Sequence, residues 1–235
     1  RGRPPRRTRA ARHRERGRGP AVNARETILR RIREAIGEPA DAVTVPRDYL
    51  RSAPGVDPDD RAAILDLFEQ RLERYGAQVH RTTPAGVAAA VDRELRRASA
   101  RVVLTPPGLP DMWTALWADR SEHRVVIDDP LLTTPELDEI DAVVTTCAAA
   151  IAQSGTIVLD GDAGQGRRAP TLVPDCHVCV VHAELVKSAL PEVVPRLDPR
   201  RPTTWISGPS ATVDIEMTRV QGVHGPRRLI VVLVE

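Results

Sequence analysis

Two hydrophobic patterns alternate along this chain. Some stretches place Ile, Leu or Val three and four residues apart, which is the stripe of a helix lying on a core. Others are short unbroken runs of Val, Ile and Leu, which is how a strand reads when both of its faces are covered. The first stripe is Ile28, Leu29, Ile32 and Ile36; Asn23 and Glu26 form a capping-box variant before it, and Gly37 stops it. Proline-interrupted loop sequence follows. A second helix starts at Asp57 with Pro58 in its first turn, turns Ile64, Leu65, Phe68 and Leu72 inward and ends at Gly76.

From there the two patterns take turns. Strands are predicted at 77–80, 101–105, 124–128, 141–145, 155–160, 176–181, 205–207 and 229–234. Helices are predicted at 83–97, at 111–118 with Trp113 and Trp117, over the Ala-rich 147–153, near 191–197, and at 212–220. Apolar runs separated by amphipathic helices predict an α/β fold, three layers α/β/α around a mostly parallel sheet. Ligands of such sheets commonly sit beyond the carboxyl ends of the strands.

At 235 residues one domain is the simplest expectation. Charge divides the chain. Residues 1–20 hold nine Arg and one Glu, a net +8, while the remainder is −6. Residues 1–22 therefore read as a basic arm without enough apolar content to order itself, and 23–235 as the folded domain. A negative body has no bulk attraction for a nucleic-acid backbone. Three Trp, two Tyr and one Phe are too few for a base-stacking platform. No apolar run reaches the length of a spanning helix, and no secretory signal is visible, so a cytoplasmic protein without membrane insertion is expected.

Candidate chemistry clusters near the carboxyl end. Ser207-Gly208-Pro209-Ser210-Ala211-Thr212-Val213-Asp214-Ile215-Glu216 reads as a strand entering a Gly-Pro-Ser turn and then a helix. Ser210 or Thr212 would cap that helix, and its free N–H groups would hold a carboxylate or phosphate. Ser154-Gly155-Thr156 places two hydroxyls beside a Gly at the supposed end of the 147–153 helix. Gly222-Val223-His224-Gly225 puts an imidazole on a loop, a usual place for acid–base work. Each also has a plain reading as a cap or turn. Cys176 and Cys179 form a CxxC, but in a strand residues three apart face opposite ways, so a metal or redox pair is not expected. Gly161–Gly166 reads as a flexible loop, with Arg167 and Arg168 as a possible anion contact.

Taken together, CAAAIAQSGTIVLD, the Gly-rich loop, LVPDCHVCVV and ISGPSATVDIEMTRVQGVHGPRRLIVVLVE resemble the LUD-domain family, in its lactate-utilisation branch, over residues 141–235. The resemblance implies a fold similar to the sugar-phosphate isomerase and CoA-transferase group. It implies a role in oxidising L-lactate to pyruvate alongside two partner proteins, at least one of which carries iron–sulfur clusters. This chain, with three cysteines, cannot complete a four-thiolate cluster, so no cofactor is expected here and the clusters are expected in the partners. The family motifs fall on Ser154, Gly155, Thr156, Gly208, Pro209, Ser210, Thr212, Asp214, Glu216, Gly222, His224 and Gly225 as substrate-binding candidates. Gln153 stands where the family often has Glu. The alternative is a stand-alone enzyme or binder of a small anionic metabolite, such as a sugar phosphate or acyl-CoA.

Overall fold

The computed structural model describes residues 23–37, 44–212, 220–221 and 225–235. The chain divides into two compact units, Arg1–Asp48 and Tyr49–Glu235. In the first unit, α1 (Ala24–Ile36) starts where Asn23 Oδ1 accepts the Arg25 N–H at 3.1 Å. It ends where the Gly37 N–H donates to the Arg33 carbonyl. The predicted boundaries hold.

The second unit opens with α2 (Arg61–Arg74), whose cap is the Asp60 carboxylate accepting from the Ala63 N–H at 2.9 Å. Residues 57–60 form a turn ahead of it rather than its first turn. Then come β1 (Gln78–Thr82), α3 (Val87–Arg97), β2 (Val102–Thr105), α4 (Met112–Ala118), β3 (Arg124–Ile127), α5 (Thr134–Asp138) and β4 (Ala142–Thr145). After these follow β5 (Ala149–Ile151), β6 (Thr156–Leu159), β7 (Cys176–His182), β8 (Val186–Lys187), α6 (Leu190–Val193), β9 (Thr204–Ile206), β10 (Ala211–Thr212), β11 (Val220–Gln221) and β12 (Arg228–Val234).

Six strands make one sheet in the order β1-β12-β7-β4-β2-β3, and every pairing in it is parallel. The unbroken apolar runs are its most covered strands: Leu229–Val234 of β12 and Cys176–Val181 of β7 are buried throughout. Alternate residues of these strands go to different layers. Cys176, Val178, Val180, Ile230 and Val232 pack with Val87, Val91 and Leu95 of α3 and Trp117 of α4. Cys179, Val181, Leu229, Val231 and Leu233 pack with Ile64, Leu65, Phe68 and Leu72 of α2. The α/β class and the central parallel sheet flanked by helices are as the periodicity predicts.

The face toward α2 holds an additional component. A second sheet, β8-β5-β6-β9, contributes Ala150, Ile157 and Leu159 to that core. Ala149, Ile151 and Val158, on its other side, meet Val193 of α6. One helix expectation fails here, and a second meets strand at its described ends. Residues 147–153 contain β5, which pairs antiparallel with β6 through Ala149↔Val158 and Ile151↔Thr156. The helix propensity of three alanines is worth only tenths of a kcal/mol each and yields to burial on both faces. In 212–220, the described ends are β10 and β11, paired antiparallel as Ala211↔Gln221 and Thr212↔Val220. Residues 213–219 between them lie outside the described residues.

Candidate functional site

Two glycines bring distant loops onto the last turn of α2. Gly155, at φ 59°, sits in the turn between β5 and β6. A Cβ there would lie 2.8 Å from Arg71 Cβ and 2.9 Å from the Leu72 nitrogen. Gly208 follows β9 at φ 85°, and a Cβ on it would lie 2.5 Å from Tyr75 Cβ. Only a residue without a side chain fits such an approach at that backbone angle. The two turns then share a chain of hydroxyls. Ser154 Oγ lies 2.7 Å from Thr156 Oγ1, which lies 2.7 Å from Ser207 Oγ. The Ser210 N–H donates to the Pro226 carbonyl at 2.9 Å, which ties this region to the entrance of β12.

The structure therefore brings Ser154, Gly155, Thr156, Gly208, Pro209, Ser210 and Gly225 into one neighbourhood. Thr212 has its backbone in β10. Among the described residues 207–212 there is no helical turn, and the rest of the expected 212–220 helix, residues 213–219, lies outside the described residues. Asp214, Glu216, Gly222 and His224 lie outside the described residues.

A cavity of about 260 Å³ opens in this neighbourhood, with Arg168, Thr171, His177, Ser207, Ser210 and Leu229 among its lining residues. Ser154 and Thr156 stand behind Ser207 rather than in the wall. Gln153 is exposed and is not part of the lining. The cavity lies at the amino ends of the parallel strands: Ala142, Cys176 and Arg228 are register partners at the start of β4, β7 and β12. The expected edge was the opposite one. At the carboxyl ends of β2 and β4 lies the Gly-rich loop, with a shallow hollow between Pro107-Gly108 and residues 161–166. There the Gly164 N–H donates to the Pro107 carbonyl, and the Gly164 carbonyl accepts from the Thr146 N–H, both at 2.8 Å. Arg167 is committed nearby, with Nε 2.7 Å from the buried Asp128 carboxylate, which leaves Arg168 as the arginine that reaches the cavity.

His177, between the two cysteines of the CxxC, is the residue that sequence reasoning missed. It is 1% exposed, and its Nε2 lies 2.8 Å from Thr145 Oγ1. Burial lowers its pKa to about 4, so the ring is neutral near pH 7. A polar ring near the start of an apolar run, Cys176–Val181, was the available signal. At the rim, Arg168 is exposed, and its carbonyl accepts from Thr171 Oγ1 at 2.8 Å. Among the described lining residues there is no carboxylate. A cationic rim, hydroxyl walls and a neutral imidazole suit a small anion.

The cysteines lie elsewhere. Cys176 and Cys179 enter the cores on opposite faces of the sheet, as strand geometry predicts. A hydrogen bond with Cys179, together with burial, pushes the Cys147 thiol well up, and burial pushes Cys176 up to about 11. Protonated thiols are poor metal ligands. Among the described residues no three His, Cys, Asp or Glu side chains converge in a way that would hold a metal ion.

Comparison with known proteins places this geometry in context. The LUD domain model matches residues 65–234. A "Lactate utilization protein C" of Deinococcus radiodurans is 45% identical over 181 residues, covering 75% of this chain and 82% of that protein. A protein of the same name from Halalkalibacterium halodurans is 26% identical over 230 residues, covering 91% and 99%. Among solved structures, a DUF162 family protein from Deinococcus radiodurans superposes with a TM-score of 0.64 at 39% identity, covering 76% of this chain and all of that one.

Proposed function

Because the chain belongs to the LUD-domain family, we propose that it serves in L-lactate utilisation, the oxidation of L-lactate to pyruvate, as a component that binds a small anion. Electron transfer is assigned to partner proteins carrying iron–sulfur clusters, and the location to the cytoplasm. The observation that carries this reading is the cavity at the amino ends of β7 and β12, with Arg168 at its rim, hydroxyls in its walls and no carboxylate among its described lining residues. Support for lactate comes from the names of the relatives. The buried, protonated thiols fit a chain that leaves redox work to others. Among the described residues no helix is long and apolar enough to cross a membrane.

The test is deletion of the gene in its own host, with growth on L-lactate compared with growth on glucose. Selective loss on lactate, restored by the intact gene and poorly by Ser210→Ala or Arg168→Ala, is the expected result. Normal growth on lactate would remove the reading.

Cavity size favours one alternative. A cavity of about 260 Å³ has more room than a three-carbon acid fills. A larger anion, such as a sugar phosphate or part of an acyl-CoA, is the second reading. A metabolite panel scored by melting temperature decides it, since ligand at 100 times Kd stabilises by about 2.7 kcal/mol.

A further inference from the structure

We propose that His177 is the specificity-determining residue of this cavity, meeting an oxygen on the second carbon of a short carboxylate whose charge is met by Arg168. The inference deepens the small-anion reading above and rests on it.

His177 interrupts the apolar run of β7, with Val143 of β4 and Leu229 of β12 as its register neighbours. A buried imidazole is costly unless its polar atoms are satisfied. Nε2 is satisfied by Thr145 Oγ1 at 2.8 Å, and the ring also borders the cavity. A neutral imidazole carries one donor and one acceptor. If the Thr145 hydroxyl donates to Nε2, the proton sits on Nδ1, which then donates to a ligand oxygen. If Nε2–H donates to Thr145, Nδ1 accepts from a ligand hydroxyl. Both arrangements favour a 2-hydroxy acid, and only the first also favours a 2-oxo acid.

Burial keeps the ring neutral, so it adds little to the attraction for a carboxylate. That attraction falls to Arg168, the cation among the described lining residues. Charge recognition and recognition of the second-carbon oxygen are thus divided between two side chains, one at the start of the short turn 169–171 and one on β7, and can be removed separately.

The experiment measures binding of L-lactate, pyruvate and propionate to the full chain by titration calorimetry or ligand-observed NMR. Propionate, which lacks the second-carbon oxygen, is expected to bind at least about fivefold more weakly than L-lactate, the value of one hydrogen bond. Arg168→Ala should weaken all three acids and leave the ratio unchanged. His177→Phe should bring L-lactate down to the level of propionate. Thr145→Val, which frees the ring, should narrow the ratio, and Thr145→Ser should retain it; this pair serves if His177→Phe does not fold. Equal binding of propionate and L-lactate by the unaltered chain overturns the proposal, as does a ratio that survives His177→Phe in a folded protein. No binding of any acid overturns it too. If deletion of the gene still abolishes growth on lactate, that last result leaves the lactate-utilisation role standing without this site. The expected ratio in a strain that grows normally would leave His177 standing without that role.

Discussion

His177 and Thr145 sit on adjacent parallel strands with Nε2 and Oγ1 2.8 Å apart, and neither residue is more than 1% exposed. The pair joins β4 to β7 inside the sheet, and its His177 end borders the cavity.

Stability should fall on mild acidification because of this burial. The folded-state pKa of His177 is about 4, against about 6.5 when unfolded. Between those values the unfolded chain binds the extra proton, so stability is lost as pH falls from about 6.5 toward 4 and no further below that. The full effect is roughly 3 kcal/mol. Urea unfolding at pH 7 and pH 4.5 measures it, and His177→Gln should flatten the slope across this window. An unchanged slope in that variant would mean that other groups carry the acid sensitivity.

Gly208→Ala and Gly155→Ala should each cost about 2 kcal/mol or more, since both combine a positive φ with a close approach to α2. Gly55→Ala is the control. Its φ is 78°, but nothing lies within 4 Å of an added Cβ, so only the backbone strain of about 1 kcal/mol remains. Equal losses at all three positions would show that the contacts with α2 do not matter.

Arg167→Ala should destabilise by about 3 kcal/mol. Asp128 is 3% exposed, and burial alone would raise its pKa, but the Arg167 pair and the Leu132 N–H together outweigh this and hold it below the ordinary carboxylate value. Removing the partner leaves a buried charge. Asp128→Asn in the Arg167→Ala background should recover part of the loss in thermal unfolding; no recovery would mean that the Arg167 bond to the Leu132 carbonyl matters more.

Alkylating reagent should label none of Cys147, Cys176 and Cys179 in the native protein, and all three after denaturation. Each is at most 4% exposed, and the thiols of Cys147 and Cys176 are held protonated by their surroundings. Mild oxidation should yield no Cys176–Cys179 disulfide, because the two side chains enter different cores. Mass spectrometry reads both outcomes, and a Cys176–Cys179 bridge in folded protein would contradict the strand geometry.

Much of the fold was legible because burial leaves a pattern. The stripe Ile64, Leu65, Phe68, Leu72 and the run Leu229–Val234 each match an element that faces the core. The Ala-rich 147–153 misled because alanine suits a helix and a tightly covered strand alike, and only its pairing with β6 decides. After Ser210 a hydroxyl followed by carboxylates resembles a helix start, whereas the described Thr212 pairs with Val220 as strand.

Local sequence also marked Ser154–Thr156, Ser207–Ser210 and Gly225, because glycine and hydroxyl clusters record constraints on a few adjacent residues. It did not say that Gly155 and Gly208 rest on the same turn of α2, or that these loops gather at the amino ends of the sheet. His177 gave the weakest sign of all, one polar residue in an apolar run. What the sequence determined by itself was the set of elements that bury an apolar face, since periodicity is a property of neighbours along the chain. Which residues meet around the cavity was decided by the crossovers of the sheet and by where glycine permits backbone to touch α2, and both depend on partners far apart in sequence.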